Sequence, residues 1–348
     1  ESTGLPASTI HKMLGYDFDG TYRFNANHPL NTKLLIIDEA SMIDCLLMKR
    51  LLEAVKPITS LVLVGDANQL PSVGPGEVLN DIIISELYAV QKLDTIHRQA
   101  HDSNIISLAY DILDNQTSID LMNHYHDRTF VRVKDEFVVA ELVKQINQLV
   151  NHGYSLFEDI QILAPMYKGV NGIDRLNLII QNTFNGQNKE LSLSFGDKVF
   201  YYQDKVMQLS NQPEKNVMNG DQGIIVAIDD QKELIVDFSG TLVKYHLKEL
   251  DQLTLAYVTS IHKSQGSEYK VVILPVSMSY YIMLKKKLLY TAVTRAKERL
   301  IIIGNPEAFS YGVSGMEKPR KTLLKDFMIE CHRLNQQDQV RIEDFLDE

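Results

Sequence analysis

The sequence is poor in cysteine, has no long apolar run and shows no excess of positive charge. Its two cysteines, Cys45 and Cys331, lack the spacing of a metal site, and their scarcity favours a reduced, cytoplasmic protein. No stretch is long enough to cross a bilayer, and none resembles a signal peptide. A membrane partner is therefore not expected.

The charge balance is acidic, with a net charge of -10 over 348 residues. This balance argues against a histone-like protein that binds nucleic acid over its whole surface. It does not exclude a nucleic-acid motor, because such a motor needs only one local basic track. With 45% of its residues hydrophobic, the chain is able to form two to three domains.

Two apolar runs near the N-terminus predict strands of a parallel sheet. Residues 34–40 and 61–66 are continuous apolar segments that end in carboxylates, a pattern typical of strands covered on both faces. A helix is predicted between them, over residues 40–55. Further apolar strands are predicted at residues 160–164, 271–276 and 300–303. This alternation indicates an α/β architecture with two sheets.

Two regions depart from the alternation. Residues 16–24 alternate aromatic and polar side chains around Asp19 and Gly20, which predicts a β-hairpin with a two-residue turn. Residues 223–246 predict three short strands of a small antiparallel barrel inserted between α/β segments. The polar and acidic residues 333–348 predict a loose C-terminal end.

The first predicted strand ends in two adjacent carboxylates, Asp38 and Glu39. At the carboxyl end of a buried strand, one carboxylate suits Mg²⁺ and the next suits polarisation of the attacking water in nucleotide hydrolysis. The alternative interpretation is a strand that merely ends in acidic residues.

The second predicted strand ends in a polar cluster in which Asp66 is able to support a metal shell and Gln69 to sense a phosphate or water. An ordinary turn formed by Gly65, Asp66 and Asn68 is the alternative. Both strand ends are expected at the edge where α/β sheets bind ligands.

Three further segments contain residues suited to phosphate. Arg98 follows a strand-like run and is able to reach a phosphate with a bidentate fork. Residues 257–268 combine hydroxyls, a histidine, a lysine and a glycine, which suits contact with a phosphate backbone and a nucleotide. Arg295 is a candidate arginine finger. The alternative for residues 257–268 is a solvated helix that ends in a glycine cap. The alternative for Arg295 is an arginine on a solvated helix face.

Taken together and in this order, the motifs resemble the RecD-like helicases, the 5′-to-3′ branch of superfamily 1. The resemblance covers nearly the whole chain. Residues 3–4 and 7–14 resemble the segment that follows the family's first DNA-contacting motif, whereas residues 261–268 and 290–296 are close to highly specific family signatures.

The resemblance implies an α/β fold with two RecA-like motor domains, the first one incomplete. The remainder of the first domain is expected at residues 1–105, including a β-hairpin pin at 15–32. The second domain is expected at residues 106–185 and 252–348, interrupted by an SH3-like β-barrel insert at 186–251.

The resemblance also implies ATP and Mg²⁺ as cofactors. Asp38 would serve the metal and Glu39 the hydrolytic water. Gln69 and Arg98 would sense the γ-phosphate, and Arg295 would be the finger from the second motor domain. The implied activity is ATP-dependent unwinding of duplex DNA, with 5′-to-3′ translocation on a single strand, in repair or recombination.

Further contacts follow from the same resemblance, with single-stranded and forked DNA as partners, and recombination or repair subunits as further candidates. The implied nucleotide contacts are Asp66, Gly266 and Glu268. The implied DNA contacts are His11, Tyr167, Asn219, Thr259, His262 and Lys263.

One family motif is missing from the sequence. The phosphate-binding loop Gly-x-x-x-x-Gly-Lys-Ser/Thr, whose amides and lysine cradle phosphates, occurs nowhere in the 348 residues. In the family this loop lies upstream of the segment where this chain starts. We therefore expect a chain truncated before the loop, with a disturbed first domain and little ATP hydrolysis of its own.

A non-hydrolysing DNA-binding or scaffolding subunit is the competing interpretation. The pair Asp38 and Glu39 and the arginine at 295 favour a motor, because a subunit without hydrolysis has no physical need for them. A nuclease is the third class, and the sequence contains no cluster of Asp, Glu and Lys for it beyond the motor motifs.

Overall fold

The computed structural model describes residues 7–17, 20–93, 103–116, 121–229, 233–315 and 320–346. The chain forms two compact units, one of residues 1–94 with 318–348 and one of residues 95–317. This division groups the C-terminal segment with the first unit, whereas the sequence assigned it to the second motor domain.

Helices and strands alternate through most of the described chain. The α-helices there are α1 (Ile10–Leu14), α2 (Cys45–Glu53), α3 (Val78–Ser85), α4 (Asn104–Leu113), α5 (Val138–Asn151), α6 (Ile173–Phe184), α7 (Lys286–Val293), α8 (Pro306–Ser314) and α9 (Leu324–Leu346). The strands are β1 (Leu34–Ile37), β2 (Ser60–Leu63), β3 (Arg128–Arg132), β4 (Ile160–Ala164), β5 (Ser192–Phe195), β6 (Lys198–Tyr201), β7 (Lys205–Gln208), β8 (Gln222–Ile228), β9 (Glu233–Phe238), β10 (Thr241–His246), β11 (Leu253–Leu255), β12 (Val258–Ser260), β13 (Tyr269–Val276) and β14 (Ala296–Gly304).

The first unit contains a parallel pair of strands, β1 and β2, in which Ile36 is opposite Val62. The prediction that both strands are covered on both faces is wrong. Ile37 packs with α2 and α3 in one core cluster, whereas Leu34 and Ile36 on the other face are 54% and 59% exposed. Among the described residues of this unit, the packed helices lie on one face only.

The predicted hairpin near the N-terminus is a tight chain reversal rather than a pair of regular strands in the described residues. Tyr16 and Tyr22 form an antiparallel bridge, and the Asp17 amide donates to the Thr21 carbonyl at 3.0 Å. Asp19, at the predicted tip, lies outside the described residues.

The second unit contains a fully parallel sheet of five strands in the order β12-β4-β13-β14-β3. Every residue of β4 is buried, and the three strands predicted at 160–164, 271–276 and 300–303 are confirmed as β4, β13 and β14. Helices α5 and α6 supply the core beside this sheet. Here the continuous apolar runs have cover on both faces, as their pattern requires.

An antiparallel sheet interrupts the second unit, with the order β10-β9-β8-β7-β11. It confirms the three strands predicted within residues 223–246 and adds β7 and β11 to them. Alternate residues of β9, such as Leu234 and Val236, point into the small core of this sheet. Period-two alternation is therefore what revealed this part of the fold.

A buried polar network lies where this sheet meets the parallel one. The Asp204 carboxylate accepts hydrogen bonds from the Tyr201 amide, the side-chain amides of Gln181 and Asn185 and the Tyr257 hydroxyl. Desolvation nevertheless raises the pKa of Asp204 above its usual range. The adjacent Lys205 is buried as well, and its Nζ donates to the Ile160 carbonyl at 3.2 Å.

The C-terminal segment is helical rather than loose, because α9 extends to Leu346. Leu324, its first residue, packs against the core of the first unit. Within the described part of the chain, no helix combines the length and the apolar character that crossing a membrane requires.

Candidate functional site

The carboxyl ends of β1 and β2 lie side by side. The Val64 amide donates to the Ile37 carbonyl and the Ala40 amide donates to the Val64 carbonyl, both at 2.8 Å. Gly65 permits this approach, since a Cβ atom there would meet the Ala40 amide nitrogen at 2.9 Å. The two strand ends that the sequence singled out therefore form one edge.

Asp38 and Glu39 begin the segment that leaves this edge. Asp38 is exposed, and its Oδ1 accepts a hydrogen bond from the Glu39 amide at 2.8 Å. Glu39 has a φ of 52°, in the left-handed region, which costs about 1 kcal/mol for a residue with a side chain. Such strain at a strand end is typical of functional sites.

The loop after β2 is a turn built around Asp66. The carboxylate of Asp66 accepts from the Asn68 amide at 2.9 Å, as the ordinary-turn interpretation predicted. The same turn buries Gln69, which is 8% exposed and whose Nε2 lies 3.5 Å from Asp66 Oδ2. Gln69 Oε1 and the nearby Ser41 Oγ are buried and have no hydrogen-bond partner among the described residues.

This edge fits a nucleotide and its Mg²⁺. Mg²⁺ in phosphate-transfer sites is held by one or two carboxylates together with phosphate oxygens and water, and Asp38 supplies one exposed carboxylate. Across the described residues, no group of three His, Cys, Asp or Glu side chains forms a metal cage. Among the described residues, the unpartnered Ser41 hydroxyl is a group that a bound phosphate or water would satisfy, and the unpartnered Gln69 Oε1 is an acceptor that a bound water would satisfy.

In the second unit, Arg295 follows α7 and is 2% exposed. Its guanidinium donates to the carbonyls of Thr291 and Ser267, at 3.2 and 3.0 Å. The second bond places Arg295 against the block that contains Gly266 and Glu268. Gly266 needs its φ of 75° there, and Glu268 pairs with an exposed lysine at 297 at 2.9 Å. The structure therefore brings three predicted site residues together.

The predicted DNA contacts of this block have different exposures. Thr259 is buried in β12, and its Oγ1 has no hydrogen-bond partner among the residues described. His262 and Lys263 are half-buried, and desolvation lowers the pKa of each below its usual range. Burial thus favours the neutral form of both groups. Arg98 lies outside the described residues.

The remaining predicted DNA contacts are exposed. Tyr167 and Asn219 lie on loops of the second unit, and His11 lies on α1 of the first. His11 packs edge-on against Tyr16, with ring centroids 5.5 Å apart, and Tyr16 contacts Tyr22 at 5.0 Å. This cluster at the base of the predicted pin offers aromatic faces of the kind that stack on bases.

Two features of the structure were not found in the sequence. The buried pair Asp204 and Lys205 stands at a strand start without a recognisable motif. Arg320 donates to three backbone carbonyls of the loop after β2. Both depend on contacts between distant segments, for which one sequence contains no local signal.

Three family models match the chain. An AAA domain matches residues 1–136, the SH3 domain of an ATP-dependent RecD-like DNA helicase matches residues 176–238, and a UvrD-like helicase C-terminal domain matches residues 255–303. Their order along the chain is the order in which the motifs above occur.

Curated relatives agree with these models. The chain is 32% identical over 326 residues to the ATP-dependent RecD2 DNA helicase of Deinococcus radiodurans, an alignment that covers 93% of this chain and 43% of the relative. It is 28% identical over 321 residues to the RecBCD enzyme subunit RecD of Mycolicibacterium smegmatis, covering 87% of this chain and 56% of that subunit. The chain thus spans about half the length of these relatives.

A solved structure shows the fold. It is a Pif1 helicase from a study of DNA unwinding at forked duplex DNA by two coordinating Pif1 helicases, with a TM-score of 0.51 and 17% identity over 95% of this chain and 83% of that one. The architecture is accordingly that of two RecA-like motor domains with an SH3-like insert. On its motifs, family models and relatives, the chain belongs to the RecD-like helicases of superfamily 1.

Proposed function

We propose that this chain is the motor part of an ATP-dependent DNA helicase that moves 5′ to 3′ on a single strand. The observation that best supports this is the joined edge of β1 and β2, where the strained Glu39 lies beside Asp38 and the buried Gln69. A protein that only binds DNA has no need for a strained carboxylate at a strand end.

In this proposal each polar group at the edge has one task. Glu39 takes a proton from the attacking water. Gln69 orients that water by accepting a hydrogen bond at Oε1, or orients the γ-phosphate by donating one from Nε2. Asp38 would hold Mg²⁺, which neutralises charge on the phosphates. Arg295 is proposed as the finger that stabilises the transferring phosphate, and this role requires its side chain to leave the carbonyls of Thr291 and Ser267.

DNA is proposed to bind without regard to base identity. The net charge of -10 makes the affinity depend on local contacts by His262, Lys263 and Asn219, and such phosphate contacts weaken as salt is raised. The ring cluster of His11, Tyr16 and Tyr22 would stack on bases. Because one relative is named as a subunit of the RecBCD enzyme, association with recombination or repair subunits is also proposed, in a cytoplasmic setting.

The test is DNA-stimulated ATP hydrolysis by the 348-residue chain and by the product of its complete open reading frame. The chain lacks the Gly-Lys phosphate-loop pattern, so we expect little turnover by the chain itself and strong turnover by a product that includes such a loop. Absence of hydrolysis in both would favour the non-hydrolysing DNA-binding subunit. Turnover by the chain itself would show that it binds phosphate in another way.

Removing the tip of the pin should separate unwinding from hydrolysis. Tyr16 and Tyr22 close the base of this reversal, so a shortened tip between them leaves the fold of the first unit intact. We expect DNA-stimulated ATP hydrolysis to persist and strand separation on a forked duplex to stop. An equal loss of both activities would mean that the hairpin is only structural.

A further inference from the structure

Arg320 clamps the loop that follows β2. Its Nη1 donates to the carbonyls of Gly74 and Gly76 at 2.7 and 2.9 Å, and its Nη2 donates to the carbonyl of Ser72 at 2.7 Å. Three charge-assisted hydrogen bonds to one stretch of backbone use the planar fork that only an arginine offers. The loop conformation over residues 72–76 is therefore fixed by a side chain from the C-terminal segment.

The clamped loop is the one that contains Gln69, and it is packed on the segment that follows Glu39. The Ser72 amide donates to the Ser41 carbonyl at 3.1 Å. A Cβ atom at Gly74 would lie 2.0 Å from a carboxylate oxygen of Asp44. There is no space for the loop to move toward this segment, and Arg320 opposes movement away from it.

The orientation of Gln69 depends on this backbone. Its Oε1 has no partner among the described residues, and its Nε2 has only the 3.5 Å contact with Asp66. Side-chain hydrogen bonds that weak do not hold an amide in one orientation. The position of Gln69 relative to Glu39 therefore comes from packing and from the loop backbone, which the Cys45 amide holds at the Pro75 carbonyl and Arg320 holds from the C-terminal segment.

Arg320 is itself held in place. The Thr322 hydroxyl donates to Asp81 Oδ2 at 2.8 Å, and Asp81 is buried on α3. Two residues further, Leu324 starts α9 and packs against the core of the first unit. The guanidinium is thus presented by an anchored segment rather than by a free tail.

We propose that Arg320 is a positioning residue for ATP hydrolysis, which keeps Gln69 in register with Glu39 by clamping the loop at residues 72–76. This inference rests on the proposed function. In the proposed role, Arg320 contacts neither nucleotide nor DNA and acts only through the loop. Its loss should therefore lower kcat and leave nucleotide affinity unchanged.

The experiment uses the product of the complete open reading frame and its variants Arg320→Ala and Arg320→Lys. We expect the alanine variant to lower the kcat of DNA-stimulated ATP hydrolysis roughly 10–100-fold, the effect of misplacing a group by about 1 Å, with KM for ATP unchanged. The lysine variant keeps the charge but has no planar fork, and we expect its kcat to stay low.

Two controls separate positioning from folding. Millimolar guanidinium ion should partly restore the kcat of the alanine variant by occupying the place of the missing side chain. A merely destabilised fold would show no restoration, because guanidinium at this concentration hardly changes the free energy of unfolding. Arg333→Ala removes an exposed guanidinium from the same C-terminal segment, where Arg333 pairs with Glu330 on α9 at 2.7 Å. We expect it to leave kcat near the wild-type value.

The proposal would be overturned by unchanged kcat in Arg320→Ala, by full activity of Arg320→Lys, by no restoration with guanidinium, or by an equal fall of kcat in Arg333→Ala. The variant Glu39→Gln, measured in parallel, distinguishes failure of the proposed function from failure of the role proposed for Arg320. If it stays active, the proposed function itself fails. If it is inactive while Arg320→Ala has full activity, only the role of Arg320 fails.

Discussion

Glu39→Gln in the product of the complete open reading frame should abolish DNA-stimulated ATP hydrolysis and leave DNA binding close to the wild-type level. The amide cannot accept the proton of the attacking water, and loss of a general base lowers a rate by roughly two to four orders of magnitude. DNA affinity should persist because its proposed contacts, such as Asn219 and Lys263, lie elsewhere. Steady-state hydrolysis and fluorescence anisotropy with labelled single strands measure the two effects.

Glu86→Gln is the matched control for this variant. Glu86 is also a glutamate in the left-handed region, with a φ of 58° at the end of α3, so the same change is made on the same kind of backbone. We expect it to keep full turnover. Undiminished hydrolysis in Glu39→Gln, or an equal loss in both variants, would rule out the proposed role of Glu39.

Lys205→Met should stabilise the second unit, most strongly at and below neutral pH. Burial lowers the pKa of Lys205 from 10.5 to about 7. In the unfolded chain the amine stays protonated up to about pH 10.5. Below pH 7 the amine is therefore charged in both states, and the folded state is destabilised by the full cost of removing that charge from water. At about 1.4 kcal/mol per pKa unit, a shift from 10.5 to about 7 amounts to a destabilisation of roughly 5 kcal/mol.

The wild-type protein should therefore gain stability from this group as the pH rises from about 7 toward 10.5. The advantage of the methionine variant should shrink over the same range. Urea unfolding of both proteins at several pH values measures the difference. The stability gained by the methionine variant should be smaller by about 1 kcal/mol, because methionine cannot donate the hydrogen bond that Lys205 makes to the Ile160 carbonyl.

Lys144→Met is the control for the change in net charge. Its ammonium is exposed on α5 and pairs with Glu141 at 3.1 Å. Removing an exposed ion pair should alter stability only slightly. A stability difference for Lys205→Met that is absent, or that does not change with pH, would show that burial does not lower the pKa of the Lys205 amine.

The burial of the strands could be predicted where the chain supplies its own cover. The apolar run at 160–164 becomes β4, in which every residue is buried. The same kind of run at 34–40 becomes β1, in which Leu34 and Ile36 are exposed. The pattern specifies that a strand can be covered on both faces, but the cover must come from other segments, and no local pattern reports whether these are present.

The candidate site likewise contains residues that could be predicted from the sequence and features that could not. Asp38, Glu39 and Gln69 could be located because parallel strands end at a common edge, which is a rule of the fold. The strain at Glu39 and the clamp by Arg320 could not, since a φ angle and a fork of hydrogen bonds depend on packing. Arg320 is 248 positions from Ser72, and the sequence shows it as one arginine in a polar segment.

That separation has a consequence for biosynthesis. The first unit is discontinuous, because residues 318–348 complete what residues 1–94 begin. On the ribosome, the second unit is synthesised in full before Arg320 leaves the exit tunnel, so the loop of Gln69 is clamped last. Contacts over such sequence separations slow folding, and domains generally fold as units during synthesis. The nascent chain must therefore hold a half-made hydrolytic edge until the segment that contains Arg320 emerges.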